Sequence, residues 1–161
     1  RGATTMWERW DGIRPDGSFQ EKSMNSFNHY AFGAIGDWMY RTIGGLDVDD
    51  AAPGYKHSLI APVVGGGVTS AKTELQTPYG TLGSDWRMTN GAMVLTVVVP
   101  ANTTASVTLR NTTATTAREG GISLSAVAGV RGVRSEGNDV IVDVGSGRYV
   151  FSTVAPAPAR Q

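Results

Sequence analysis

Gly80-Thr81-Leu82-Gly83-Ser84-Asp85-Trp86-Arg87-Met88-Thr89-Asn90-Gly91-Ala92-Met93-Val94-Leu95-Thr96-Val97-Val98-Val99 decides the fold class. Two runs with period-two alternation flank Asn90-Gly91, and a type I′ turn needs positive φ at both central positions, which Asn-Gly supplies. The stretch predicts a β-hairpin with strands Gly80–Thr89 and Ala92–Val99. The same texture, rich in Val, Thr, Ala and Gly, continues on both sides. It predicts strands at Tyr55–Ala61, Val68–Thr77, Ala105–Arg110, Ile122–Val127, Asp139–Val144 and Gly147–Val154. Turn signals divide several of them, at Pro78-Tyr79-Gly80, Pro100-Ala101-Asn102 and Gly137-Asn138, and Gly65-Gly66-Gly67 reads as a turn. Short strands at this spacing imply an antiparallel β-sandwich of about 100 residues.

Toward the N-terminus the texture changes. Up to about Gly45 the chain is rich in Trp, Phe, Tyr, Met and Asn. Phe27, Ala31, Ala34, Ile35, Trp38 and Met39 recur at three-and-four spacing, so a helix with one buried stripe is expected there. Ser23 or Asn25 would cap its start, and Gly44 and Gly45 would supply a left-handed stop. Gly33 and Gly36 suggest close contact with a neighbouring backbone. A shorter helical candidate spans Thr4 to Trp10, and between the two lies a loop, Asp11 to Ser18, with two Asp-Gly pairs and a proline. Neither helix covers the other's apolar surface, so partners upstream or in another protein are expected. The acidic, then Pro- and Gly-containing, stretch Asp47 to Gly54 reads as the seam. The expected organisation is therefore helices over 1–46, a sandwich over 54–154 and a disordered proline-alternating tail over 155–161.

Composition narrows the partners. Fourteen basic and 14 acidic residues give a formal net charge of +0 in a chain of 161 residues, without the concentrated basic field that nucleic acid or an anionic membrane surface requires. Cysteine is absent, which removes disulfides, thiolate nucleophiles and cysteine-ligated zinc. Met93 to Pro100, the longest strongly apolar stretch, is far shorter than the roughly 20 residues of a membrane helix, and the N-terminus has no signal pattern, so a soluble protein is expected. No metal constellation, phosphate loop or nucleotide fingerprint is present, and no cofactor is expected. The chain begins at Arg1 and enters directly into a Trp-rich segment, which reads as a fragment of a longer polypeptide or a processed start.

Glycosidic bonds are usually split by paired carboxylates, and the first half offers one good candidate. Glu8 lies between Trp7 and Trp10, where aromatic neighbours can perturb a carboxyl and stack on a sugar ring. The plainer alternative is a surface residue paired with Arg9. His29 could donate to a hydroxyl, although a lone His at a helix start is commonly structural. Asp11 and Asp16 fit turn chemistry and Asp37 flanks the apolar stripe. In the sandwich, Asp85-Trp86 and Tyr149 could form an aromatic sugar platform, but alternation places Trp86 in the core and Tyr149 in the closing strand.

Ala3-Thr4-Thr5-Met6-Trp7-Glu8-Arg9-Trp10-Asp11 followed by Met24-Asn25-Ser26-Phe27-Asn28-His29-Tyr30-Ala31-Phe32-Gly33 resembles the last catalytic motif pair of the inverting α-L-rhamnosidases. Pro78-Tyr79-Gly80, Asp85-Trp86, Val99 to Ala105 and Gly145 to Tyr149 resemble that family's C-terminal β-sandwich. The resemblance implies a mainly β chain with N-terminal helices: the truncated end of an (α/α)6 barrel followed by an antiparallel sandwich. It implies that Glu8 is the general base activating water, that His29 contacts the bound rhamnose, and that Trp7 and Trp10 shape the pocket. Terminal α-L-rhamnosides are the implied substrates. The family's general acid comes from an earlier barrel loop, which no residue here matches, so the missing upstream barrel is an implied partner and the isolated chain is expected to be inactive. The competing reading is a non-catalytic carbohydrate-binding or architectural sandwich whose helical lead-in docks elsewhere.

Overall fold

A computed structural model describes residues 2–23 and 25–153, apart from the side chain of Phe32. The chain divides into two compact units, residues 1–38 and 39–161.

The first unit is mostly irregular. Its segment 5–8 runs beside 26–29: Glu8 N–H donates to Ser26 O at 2.8 Å and His29 N–H to Met6 O at 2.8 Å, and the Thr5 hydroxyl donates to Phe27 O. Glu8 N–H and Met6 O are thereby spent across the chain rather than along it, and the helix expected over Thr4 to Trp10 is replaced by irregular chain. Between the paired segments is the expected loop, closed by Arg14 N–H to Ser18 O at 2.8 Å and by the Ile13–Phe19 bridge. The second helix also begins later than expected. It opens with a 3-10 turn, Tyr30–Gly33, and continues as α1, Ala34–Trp38. Its N-cap is His29, extended at φ −85° and without a side-chain capping bond. Asn25 does not cap it, because the first turn begins five residues further on, at Tyr30. The stripe expected to be buried is open on this chain: Phe27 is half-buried, but Ile35 is 59% exposed and Trp38 49% exposed.

The second unit starts with a π turn, Met39–Ile43. Gly45, at φ 75°, then turns the chain into β1, Leu46–Val48. Here the expected left-handed stop is found, and with it the close contact that had been expected at Gly33 and Gly36, where a Cβ would meet nothing within 4 Å. A Cβ on Gly45 would stand 2.2 Å from Pro62 N, and one on Gly44 2.2 Å from the Thr73 hydroxyl. Asp47 and Val48, placed by sequence in the seam, lie in β1.

Further strands are β2 (His57–Ile60), β3 (Ser70–Thr77), β4 (Gly80–Thr89), β5 (Ala92–Val99), β6 (Thr104–Leu109), β7 (Arg118–Glu119), β8 (Ile122–Ser123), β9 (Val130–Glu136), β10 (Asp139–Val144) and β11 (Gly147–Ser152). They form a five-stranded sheet, β1-β2-β6-β10-β9, and a six-stranded sheet, β3-β4-β5-β11-β7-β8. Every pair is antiparallel except β2 with β6. Alternation drives the packing: Leu95, Val97, Val107, Leu109, Val140, Val142, Trp86 and Phe151 are fully buried in one cluster shared by both sheets. The β4–β5 hairpin turns through Asn90 at φ 51° and Gly91 at φ 78°, as the type I′ geometry demands.

Three strands escaped the sequence reading: β1, β7 and β9. The strand expected over Ile122–Val127 is cut to two residues, because a 3-10 turn, Leu124–Ala126, buries Leu124. The expected tail, 155–161, lies outside the described residues. Among the described residues no helix is long and apolar enough to cross a membrane.

Candidate active site

Glu8, His29, Trp7 and Trp10 all belong to the first unit, and the pairing of segments 5–8 and 26–29 brings their two motifs side by side. Glu8 sits where the paired segments meet. Its backbone N–H donates to Ser26 O, and the Ser26 N–H returns a bond of 3.0 Å to Glu8 Oε2. Backbone and carboxylate are thus both held by one residue of the opposing segment. The half-buried carboxylate is not paired with Arg9, whose guanidinium forks onto Asp11 at 2.9 and 3.2 Å. That hydrogen bond from Arg9 holds the Asp11 carboxyl below the usual carboxylate range. Asp16 accepts from Ser18 N–H and its hydroxyl, which are turn bonds as expected.

Trp7 is 9% exposed, stacked on Trp10 with centroids 5.9 Å apart and met edge-on by Phe27 at 4.9 Å. Phe27 also touches Phe19, at 5.7 Å. Such packing fixes Trp7 as a wall. Trp10, 58% exposed, leaves an aromatic face open. His29 is half-buried and tied by its backbone to Met6, two residues before Glu8.

Sequence reasoning missed Ser26, Phe27 and the Gly12–Asn25 contact. A backbone N–H donor has no residue-type signature, and Gly12 reads simply as turn chemistry. Asn25 Nδ2 donates to Gly12 O at 3.1 Å, and a Cβ on Gly12 would fall 2.2 Å from Asn25 Oδ1.

No comparable constellation is found in the sandwich. Trp86 is fully buried, donating from Nε1 to Ile43 O at 2.7 Å, and Tyr149 is buried with its hydroxyl on Gly145 O at 3.0 Å, so neither is a sugar platform. His57, Ser106 and Asp143 do meet on the five-stranded sheet. Their order is wrong for nucleophile activation, however, because Ser106 sits in the middle, donating to Asp143 at 2.6 Å while His57 Nε2 lies 3.1 Å from its oxygen. Among the described residues, no group of three or more His, Asp or Glu is placed to hold a metal.

Comparison with known proteins fits this division. Residues 45–122 match the bacterial alpha-L-rhamnosidase C-terminal domain, and residues 1–43 match the bacterial alpha-L-rhamnosidase 6 hairpin glycosidase domain. An alpha-L-rhamnosidase of Streptomyces avermitilis is 50% identical over 107 residues, covering 66% of this chain and 10% of that protein. One from Formosa agariphila is 49% identical over 107 residues, covering 66% and 11%. The crystal structure of the Streptomyces avermitilis alpha-L-rhamnosidase complexed with L-rhamnose superimposes with a TM-score of 0.73 at 40% identity, over 95% of this chain and 14% of that one. The chain thus spans about a tenth of the length of the curated relatives it matches. With the glycosidase domain and the C-terminal domain of the same enzymes matched one after the other, the chain belongs to the bacterial α-L-rhamnosidase family of glycoside hydrolases.

Proposed function

We propose that this chain supplies the general base of an inverting α-L-rhamnosidase. Glu8 deprotonates the water that attacks the anomeric carbon of a terminal α-L-rhamnoside. Residues 1–46 close the (α/α)6 catalytic domain, and residues 54–154 form the C-terminal sandwich that follows it. The observation that carries the reading is the Ser26 N–H bond to Glu8 Oε2. It holds one carboxylate oxygen and leaves Oε1 to take the proton. His29 contacts the sugar, and Trp7 and Trp10 shape its pocket. The L-rhamnose bound to the Streptomyces avermitilis relative supports the substrate class.

Inversion requires the acid and base to stand roughly 6.5 to 9.5 Å apart, so that water fits between base and sugar. The acid comes from the upstream barrel, and leaving-group protonation of this kind is worth roughly 10²- to 10⁴-fold. The chain alone therefore lacks half of the mechanism. With Trp86 and Tyr149 in the core, the sandwich serves architecture rather than sugar binding. The test is Glu8→Gln in the polypeptide with its barrel restored: loss of base catalysis should lower kcat by roughly 10²- to 10⁴-fold. Undiminished rhamnoside hydrolysis would remove Glu8 from the mechanism.

A further inference from the structure

We propose that Asn25 is a positioning residue for the base: its side chain locks Gly12 so that the adjacent Ser26 N–H is aimed at Glu8 Oε2. The inference rests on Glu8 being the base. Four contacts close a ring. Glu8 leads through Arg9 into a turn, where Gly12 N–H donates to Arg9 O at 3.2 Å. Gly12 O accepts from Asn25 Nδ2 at 3.1 Å and also from Gln20 N–H at 3.0 Å. Asn25 is followed directly by Ser26, whose N–H reaches Glu8 Oε2 at 3.0 Å and whose carbonyl accepts the Glu8 N–H at 2.8 Å. The chain four residues after the base is thereby tied to the residue just before its hydrogen-bond donor.

Two observations argue that this tie has a purpose beyond stability. Asn25 Oδ1 is buried with no hydrogen-bond partner, an arrangement that costs stability and that an apolar residue would avoid. The amide cannot simply be turned over to relieve it, because that would set Oδ1 against Gly12 O in place of the N–H. Gly12 is equally constrained. A Cβ there would lie 2.2 Å from Asn25 Oδ1 and 3.2 Å from Arg9 O, so any side chain pushes the amide off Gly12. What the pair secures is direction. With Ser26 N–H on Oε2, the other oxygen is the one presented to water, and small misplacements of a reacting group cost up to about 10²-fold in rate.

The experiment uses the full-length enzyme containing this chain, with Asn25→Ala and the near-isosteric Asn25→Asp made both alone and together with Glu8→Gln. Activity is expressed per L-rhamnose-binding site counted by calorimetry, which removes any unfolded fraction. Each Asn25 variant should lower kcat by roughly 10- to 100-fold, with the KM for an aryl rhamnoside and the Kd for L-rhamnose changed by less than about threefold. In the Glu8→Gln background the same changes should cost nothing further, because Asn25 acts only through that carboxylate. Wild-type kcat per binding site in both Asn25 variants, or an equal loss with and without Glu8, would overturn the inference while leaving Glu8 as base. A fully active Glu8→Gln enzyme would instead overturn the reading beneath it.

Discussion

Single side chains have two separable tasks on this reading, the proposed chemistry in the first unit and acid-sensitive stability in the second. Asp143 illustrates the latter. Burial alone would raise its pKa, but hydrogen bonds from Ser106 at 2.6 Å and from Arg134 at 2.5 Å, with the charge of Arg134, outweigh burial and hold the carboxyl below the usual range. A carboxyl depressed in the folded state stabilises the fold above its unfolded pKa, about 3.9, and that contribution is lost as pH falls through the folded value. Urea denaturation of the wild type and Asp143→Asn should therefore show a stability gap that is full at neutral pH and shrinks below about pH 4. A gap independent of pH would contradict the ion pair's role. Glu8 stood out in the sequence as a candidate because a carboxylate between two tryptophans in a long motif is distinctive. The donor that holds it was not, since Ser26 acts through its backbone and meets Glu8 only when segments 18 residues apart pair.

Secondary-structure elements were legible in proportion to how many local signals agreed. In the β4–β5 hairpin, alternation, β-branched residues and Asn90-Gly91 all point one way, and the strand limits coincide with those read from sequence. β9, Val130–Glu136, offers no such agreement: Arg131, Gly132, Arg134 and Glu136 interrupt it, as is common on an edge strand that must resist further pairing. The Thr4–Trp10 segment was misread because Glu8 N–H and Met6 O bond across the chain rather than along it. At the entrance to β1, Gly45 combines a φ of 75° with a backbone contact that cannot yield. Gly45→Ala should cost about 3 kcal/mol from the conformational and steric penalties together, read as a lowered denaturation midpoint. A change within about 0.5 kcal/mol would show that the backbone there relaxes freely.

For the molecule as a whole, the alternation that builds the sandwich leaves an apolar surface of the first unit unaccounted for. In the first unit, Ile35 and Trp38 are 59 and 49% exposed, large apolar side chains of the kind that mark an interaction site. On the proposed reading the upstream barrel helices cover it. Expressed alone, the chain should self-associate with rising concentration, and sedimentation velocity across a concentration series checks this; a monomer at every concentration would count against the missing partner. Restored to its barrel, the same polypeptide permits the most direct test of Glu8 as a base to water rather than a nucleophile. Proton NMR of the first turnovers on an aryl α-L-rhamnoside should show β-L-rhamnose appearing first and the α anomer only later, by mutarotation. Initial release of α-L-rhamnose would contradict direct attack by water and, with it, the role proposed for Glu8.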